Sequence, residues 1–363
     1  QKEKSKLLNL EELENFQHNS SPGMCKLCTN HCQLTINTFT NGQKFISGNK
    51  CERGAGKKLQ SDLPNMVAYK NQLFNSIPLK AGGRAKIGLP RALNIYEMLP
   101  FWAELFRSLD CDVVLSRVSN RNLYMKGQNT IPSDTVCYPA KLVHGHIIDL
   151  LEKNVDAIFY PCMSYTFDEG ISDNCYNCPV VAYYPELIQA NISEVEKTNF
   201  LYPHLGIENH KLFAEQMYEE FKNIIPKLTK KEMEQATEKA FKTYHEYRET
   251  VRQEGSKVLK FAEENNYPVI ILASRPYHID PEINHGLDRL LNSLQFVIVT
   301  EDALYPVEGK LTTKTLNQWG YHARMYNAAK YVSQHKNMEL VHLVSFGCGI
   351  DAITTDEIGR AHV

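Results

Sequence analysis

The chain has 363 residues, 43% of them hydrophobic and 23% charged, with a formal net charge of −2. A single core rarely grows past ~250 to 300 residues, so two or three domains are expected, and neither a disordered chain nor a small one-domain adaptor fits. Lys and Arg are interspersed with acids, as at Lys230, Lys231, Glu232 and Glu234, instead of forming a basic stripe, which argues against nucleic acid as a partner.

No run approaches the ~18 to 20 apolar residues that a membrane crossing needs, and the polar opening at 1–6 is no signal peptide. Ten cysteines without an export signal point to a reducing cytoplasm, where thiols serve metals or chemistry instead of disulfides. The start at Gln1 reads as a piece of a longer chain, and 359–363 as an appended tail.

Four cysteines come first: Cys25, Cys28, Cys32 and Cys51, a CxxC followed by a third and a fourth thiol, with Asn41-Gly42 between them as a hairpin signal. A thiolate quartet suits tetrahedral zinc or the corners of an iron–sulfur cubane, and spacing alone does not choose. The Cys-rich module is expected over 1–80, closed by the linker-like Ala81-Gly82-Gly83.

A strand is then expected at 86–89 and a helix headed by Pro100, whose Trp102, Leu105, Phe106 and Leu109 fall on one buried face. Further strands are expected at 111–115, 156–160 and 179–184, with a helix over 138–153. Alternation of strands and helices implies a parallel, doubly wound α/β sheet, assigned to 81–208. Residues 209–266 read as a helical connector, with Thr229 and Glu232 forming a capping-box start. A second, truncated α/β domain follows over 267–363, with strands at 269–273, 296–300 and 340–346 and helices near 286–294 and 321–335.

Five more cysteines sit at the ends of these elements: Cys137, Cys162, Cys175, Cys178 and Cys348. Cys162 and Cys348 follow strands, at the edge where open α/β sheets bind ligands. Cys137 precedes a helix with Pro139 in its first turn, where the dipole and free N–H groups favour a thiolate. Gly347 and Gly349 would let the backbone around Cys348 approach a bulky ligand. Cys111, in an apolar run, reads as core. The polar loop from Arg275 to Pro281, followed by Asn284-His285-Gly286, could line a pocket or simply turn the chain. His144 and His146 face different ways on a helix, which argues against a metal pair. No GxxxxGK[ST] loop occurs, so ATP binding is not expected within the chain.

The runs Cys137-Tyr138-Pro139-Ala140-Lys141, Tyr160-Pro161-Cys162, Asn177-Cys178-Pro179-Val180-Val181, Arg275-Pro276-Tyr277-His278 and Ser345-Phe346-Gly347-Cys348-Gly349 together resemble the activase-related proteins of the 2-hydroxyacyl-CoA dehydratase family. These are relatives of the dehydratase iron–sulfur subunits and of the double-cubane cluster proteins, and the likeness covers roughly residues 20–355. The resemblance implies tandem Rossmann-like domains holding a [4Fe–4S] or double-cubane cluster at their interface on Cys137, Cys162, Cys178 and Cys348, with no assigned role for Cys175. It also implies an ATP-dependent activase module as electron donor, in trans or on the same longer polypeptide, with an acyl-CoA as substrate class and a homodimer as one assembly.

The stretch from Cys25 to Gly54 is similar to the small amino-terminal iron–sulfur domain of molybdopterin-type formate dehydrogenases, which implies a cubane there and leaves zinc open. The expected function is an iron–sulfur redox protein that accepts low-potential electrons, part of an oxidoreductase or lyase system and not active alone. The rival is a zinc-binding, non-enzymatic scaffold or docking module.

Overall fold

The computed structural model describes residues 10–26, 31–49, 54–56, 61–80, 82–308 and 311–361. The chain divides into two compact units, Gln1–Ser61 and Asp62–Val363. The boundary falls earlier than residue 80 because Met66–Ser76 packs within the larger unit.

In the first unit a short helix α1 (Leu10–Glu14) precedes a three-stranded antiparallel sheet, β1 (His18–Met24), β2 (Gln33–Phe39) and β3 (Lys44–Ser47), in that order. Asn41-Gly42 does form the β2–β3 turn, with Gly42 at φ +79. Cys25 and Cys32 are buried, and the Cys25 N–H donates to the Cys32 carbonyl at 2.9 Å, closing the loop between β1 and β2. Cys28 and Cys51 lie outside the described residues.

The second unit is mixed α/β, built on two parallel sheets. Helix α2 (Met66–Ser76) leads to the first sheet, β4 (Lys86–Leu89), β5 (Asp112–Leu115), β6 (Ala157–Phe159) and β7 (Phe200–Leu201), in the order β5-β4-β6-β7. Its helices are α3 (Ile95–Ser108), α4 (Arg121–Gly127), α5 (Tyr138–Leu151) and α6 (Pro179–Asn191). Helices α7 (His210–Phe221) and α8 (Lys230–Glu264) follow. The second sheet holds β8 (Val269–Ala273), β9 (Val297–Thr300) and β10 (Met338–His342) in the order β10-β8-β9, with helices α9 (Pro281–Asn284), α10 (Leu287–Ser293), α11 (Gly320–Ser333) and α12 (Gly349–Ala361). Both sheets reverse direction beside their first strand, the topology that opens a crevice at the carboxyl ends of the strands. This is compatible with a Rossmann-like fold.

Three elements depart from expectation. Pro100 lies inside α3, not at its head, because the Asn94 carbonyl already receives the Glu97 and Met98 N–H groups at 3.1 and 2.9 Å. The segment 179–184 is the start of helix α6, not a strand: Pro179 occupies its first turn and Cys178 caps it, so its Val and Tyr content reflects burial against the core. Strand β10 runs over 338–342, ending where its partner β8 ends at Ala273.

The 35-residue α8 is about 50 Å long at 1.5 Å per residue and is more than a connector. Thr229 and Glu232 form the expected capping box at its start, and its buried stripe includes Met233, Ala240, Tyr244 and Arg248. One hydrophobic core runs from Ile87, Trp102 and Phe159 of the first sheet region to Ile270, Leu272 and Ile298 of the second. A buried ionic network also joins the halves. Arg324 of α11 meets Glu97 of α3 at 2.6 Å and Glu169 at 2.5 Å, and Arg248 of α8 reaches Glu97 at 3.4 Å, Glu169 at 3.2 Å and Asp302 at 3.4 Å. Burial pushes the Glu169 carboxyl up, but Arg324, Arg248 and Arg252 together hold it down to about 2. No helix among the described residues is long and apolar enough to cross a membrane.

Candidate functional site

In a parallel α/β sheet the helix that follows a strand begins near that strand's carboxyl end, so residues heading such helices gather on one edge. Cys137 is the N-cap of α5, Cys178 the N-cap of α6, and Cys348 immediately precedes α12. They lie close enough that negative charge at Cys348 raises the Cys137 thiol, and negative charge at Cys137 and Cys348 raises the Cys178 thiol. Residues separated by up to 211 positions thus converge, as 348 − 137 shows.

Each is placed by a local device. Pro179 in the first turn of α6 presets its entry, and the Val181 N–H donates to Cys178 Sγ at 3.4 Å. Pro139 does the same for α5, where the Ala140 N–H stabilises the Cys137 sulfur. At Gly347, φ is +81 and a Cβ would sit 2.9 Å from the Thr135 carbonyl, so only glycine lets the Cys348 turn press against the segment leading to Cys137. A Cβ at Gly349 would meet nothing within 4 Å, so close approach makes no demand there.

Arg275, directly after β8, supplies the cation. Its guanidinium lies 3.5 Å from Cys348 Sγ, pairs with Asp351 of α12, and comes within 3.2 Å of His322 Nε2. Asp351 and His322 are buried, Cys348 is half-buried, and Arg275 itself is 3% exposed. Burial pushes the Cys137 thiol up and the Cys178 thiol up to about 11, while the Arg275 charge pulls both down. Burial also pushes His278 down to about 3 and His342 down to about 4, so both imidazoles stay neutral near pH 7. Beside this group a cavity of about 330 Å³ opens, lined in part by Tyr138, Lys141, His278, Asn284, Ser345 and Phe346. The Phe346 side chain is 99% exposed at its margin.

The chemistry of the donor set fits an iron–sulfur cluster. Three thiols are soft ligands, three helix N-termini present positive dipole ends to an anionic group, and a buried guanidinium adds a hydrogen-bond donor.

Cys162 is elsewhere. It follows β6, but its sulfur faces Glu186, whose backbone N–H points at it, and His204; burial and the Glu186 charge push its thiol up to about 12. Cys175 sits in the loop closed by the Tyr165–Tyr176 bridge, with Asp168 and Glu208 as its charged neighbours. Cys111 is fully buried in the core. His144 and His146 point to different partners, His144 to Thr130 and Tyr184, His146 to Ser116 and Ser119.

The polar loop expected from Arg275 to Pro281 does line the site, but the aim of Arg275 at a thiol, and the roles of Asp351 and His322, had no signal in the chain order. His204 carried no signal because β7, which precedes it, has two residues, too few to carry a pattern, and Glu186 lies inside α6, whose start read as a strand.

The family model of the CoA enzyme activase uncharacterised domain (DUF2229) matches residues 86–304, more than half of the chain. No curated protein and no solved structure matches the chain.

Proposed function

Because the chain belongs to the CoA enzyme activase uncharacterised domain family, we propose that Asp62–Val363 is an iron–sulfur electron acceptor related to the 2-hydroxyacyl-CoA dehydratase components. The donor would be an ATP-dependent activase module, in trans or elsewhere on a longer polypeptide. The observation that carries this reading is the convergence of Cys137, Cys178 and Cys348 at three helix N-termini around Arg275.

Those three residues would hold a [4Fe–4S] or double-cubane cluster, which when bound supplies one-electron chemistry at a potential tuned by charge, burial and hydrogen bonds to sulfur. Arg275 donates to the Cys348 sulfur, and its charge favours the thiolate forms of Cys137 and Cys178. Asp351 holds the guanidinium in that position. Tyr160 and Tyr277, both buried, close the interior side against water. The adjoining cavity is the place for the acyl end of an acyl-CoA, with Lys141 as a cation near negatively charged groups of such a substrate.

The test is anaerobic preparation of the chain with iron and sulfide, followed by iron and acid-labile sulfide analysis and electron paramagnetic resonance after low-potential reduction. Wild type and C111S should hold the cluster, whereas C137S, C178S and C348S should each lose the same iron. Equal iron and sulfide in wild type and in the triple variant would overturn the assignment.

The amino-terminal quartet Cys25, Cys28, Cys32 and Cys51 is proposed as a second site for [4Fe–4S] or zinc, supported by the burial and backbone pairing of Cys25 and Cys32. Zinc there with no iron anywhere would return the scaffold reading.

A further inference from the structure

We propose that Cys162, Glu186 and His204 form a separate site for one divalent cation of borderline softness, zinc foremost. Their donor atoms all lie within 4.8 Å of one another, and His204 Nε2 is 2.9 Å from Glu186 Oε1. The three residues come from three segments of the same sheet edge: the turn after β6, helix α6 and the turn after β7.

The backbone holds the two turns side by side. The Cys162 N–H donates to the Pro203 carbonyl at 2.9 Å and the Leu205 N–H returns to the Cys162 carbonyl at 3.0 Å, a parallel bridge that pairs Cys162 with His204. Glu186 is held on α6, a helix whose entry is set by Pro179 and whose Glu186 N–H already points at the Cys162 sulfur. The donors therefore need little ordering on binding, which is where a flexible set would lose affinity.

The chemistry selects the cation. One thiol, one imidazole and one carboxylate are the donors zinc takes at about 2.0 to 2.3 Å, and three protein ligands leave a fourth position open. Hard cations such as magnesium avoid thiolate. Cys162 is 1% exposed, whereas the Glu186 and His204 side chains are 51% and 58% exposed, so an ion can enter from solvent while the thiol is anchored in the protein. Without a cation, burial and Glu186 both oppose the Cys162 thiolate; a divalent charge between them reverses that effect.

Protons balance simply. Cys162, whose thiol burial holds protonated, releases a proton as it ligates, while His204 ligates through Nε2. Binding should therefore release about one proton per ion near neutral pH and weaken as pH falls.

The experiment uses the whole chain, stripped of metal by chelation under reducing conditions and titrated with zinc alone, with bound metal counted by elemental analysis. Wild type should bind one equivalent more than H204A, and at least about tenfold more tightly at that site than E186Q. Cobalt(II) in place of zinc should show a thiolate charge-transfer band that C162S diminishes. Both substituted side chains in H204A and E186Q are half exposed, so the fold should survive; circular dichroism checks it, and should one variant unfold, the other gives the same reading. Equal zinc stoichiometry and affinity in wild type and in both folded variants would overturn the proposal. That outcome is independent of the iron analysis, which reads Cys137, Cys178 and Cys348.

Discussion

His146 should make the fold acid-sensitive, and the hydrogen bonds around it say by how much. The ring is fully buried on α5. Ser119 donates its hydroxyl proton to Asp280 and so accepts from His146 Nε2 at 3.0 Å. With the proton on Nε2, Nδ1 is the acceptor, so Ser116 donates to it at 2.8 Å while its oxygen also receives the Arg91 N–H at 2.8 Å. The network thus assigns a neutral imidazole with its proton on Nε2, and a second proton on Nδ1 would face a hydroxyl already committed as donor. Burial pushes the folded pKa from 6.5 down to about 3.

The sign follows: the unfolded chain takes the proton first, so the contribution is complete above pH 6.5 and is lost progressively as pH falls toward 3. At pH 5 the loss is 1.5 units at 1.36 kcal/mol each, about 2 kcal/mol. Urea unfolding of wild type and of His146→Gln at pH 7 and pH 5 measures it, because every other titrating group cancels in the difference. Wild type should lose about 2 kcal/mol more than the variant between the two pH values. Equal losses would refute the neutral buried imidazole.

Two glycines in helices should respond oppositely to alanine. At Gly145 a Cβ would lie 2.1 Å from the Leu123 carbonyl, so G145A forces α4 from α5 and should cost roughly 1 to 3 kcal/mol; at Gly359 nothing lies within 4 Å, so G359A should gain up to about 1 kcal/mol. Thermal unfolding should rank G359A above wild type and wild type above G145A. Thr229→Ala removes the side-chain half of the α8 capping box, leaving the backbone N–H of residue 229 on Glu232, and should lower stability by about 1 kcal/mol in denaturant unfolding. Arg324→Met leaves Glu97 and Glu169 short of a buried partner and should cost about 3 to 5 kcal/mol. The Glu169 contribution, complete above pH 4.5 and lost as pH falls toward 2, should shrink in that variant, so its acid unfolding profile below pH 4.5 should be shallower.

Much of this protein is written in short-range pattern. The α8 helix announces itself through Thr229, Glu232 and a long run without breakers, and the β2–β3 turn through Asn41-Gly42. Cys137 heads its helix because Pro139 belongs in a first turn, and that chemistry is local. The same kind of signal misled at 179–184, where Val180, Val181, Tyr183 and Tyr184 carry the composition of a strand but occupy a helix packed on the core. At that length, apolar content reports burial, and burial is shared by both structures.

The sequence by itself therefore determined the parallel α/β character, the long helix and which cysteines stand at element ends. Only the tertiary structure decided which of those cysteines meet. Cys162 ends a strand just as expected, yet its sulfur joins Glu186 and His204, while Cys178, sixteen positions later, turns toward Cys137 and Cys348. The reason is physical: a residue's position at a sheet edge follows from local periodicity, but its neighbours there depend on strand order and on which helix crosses beside it, and those are set by packing of the whole core.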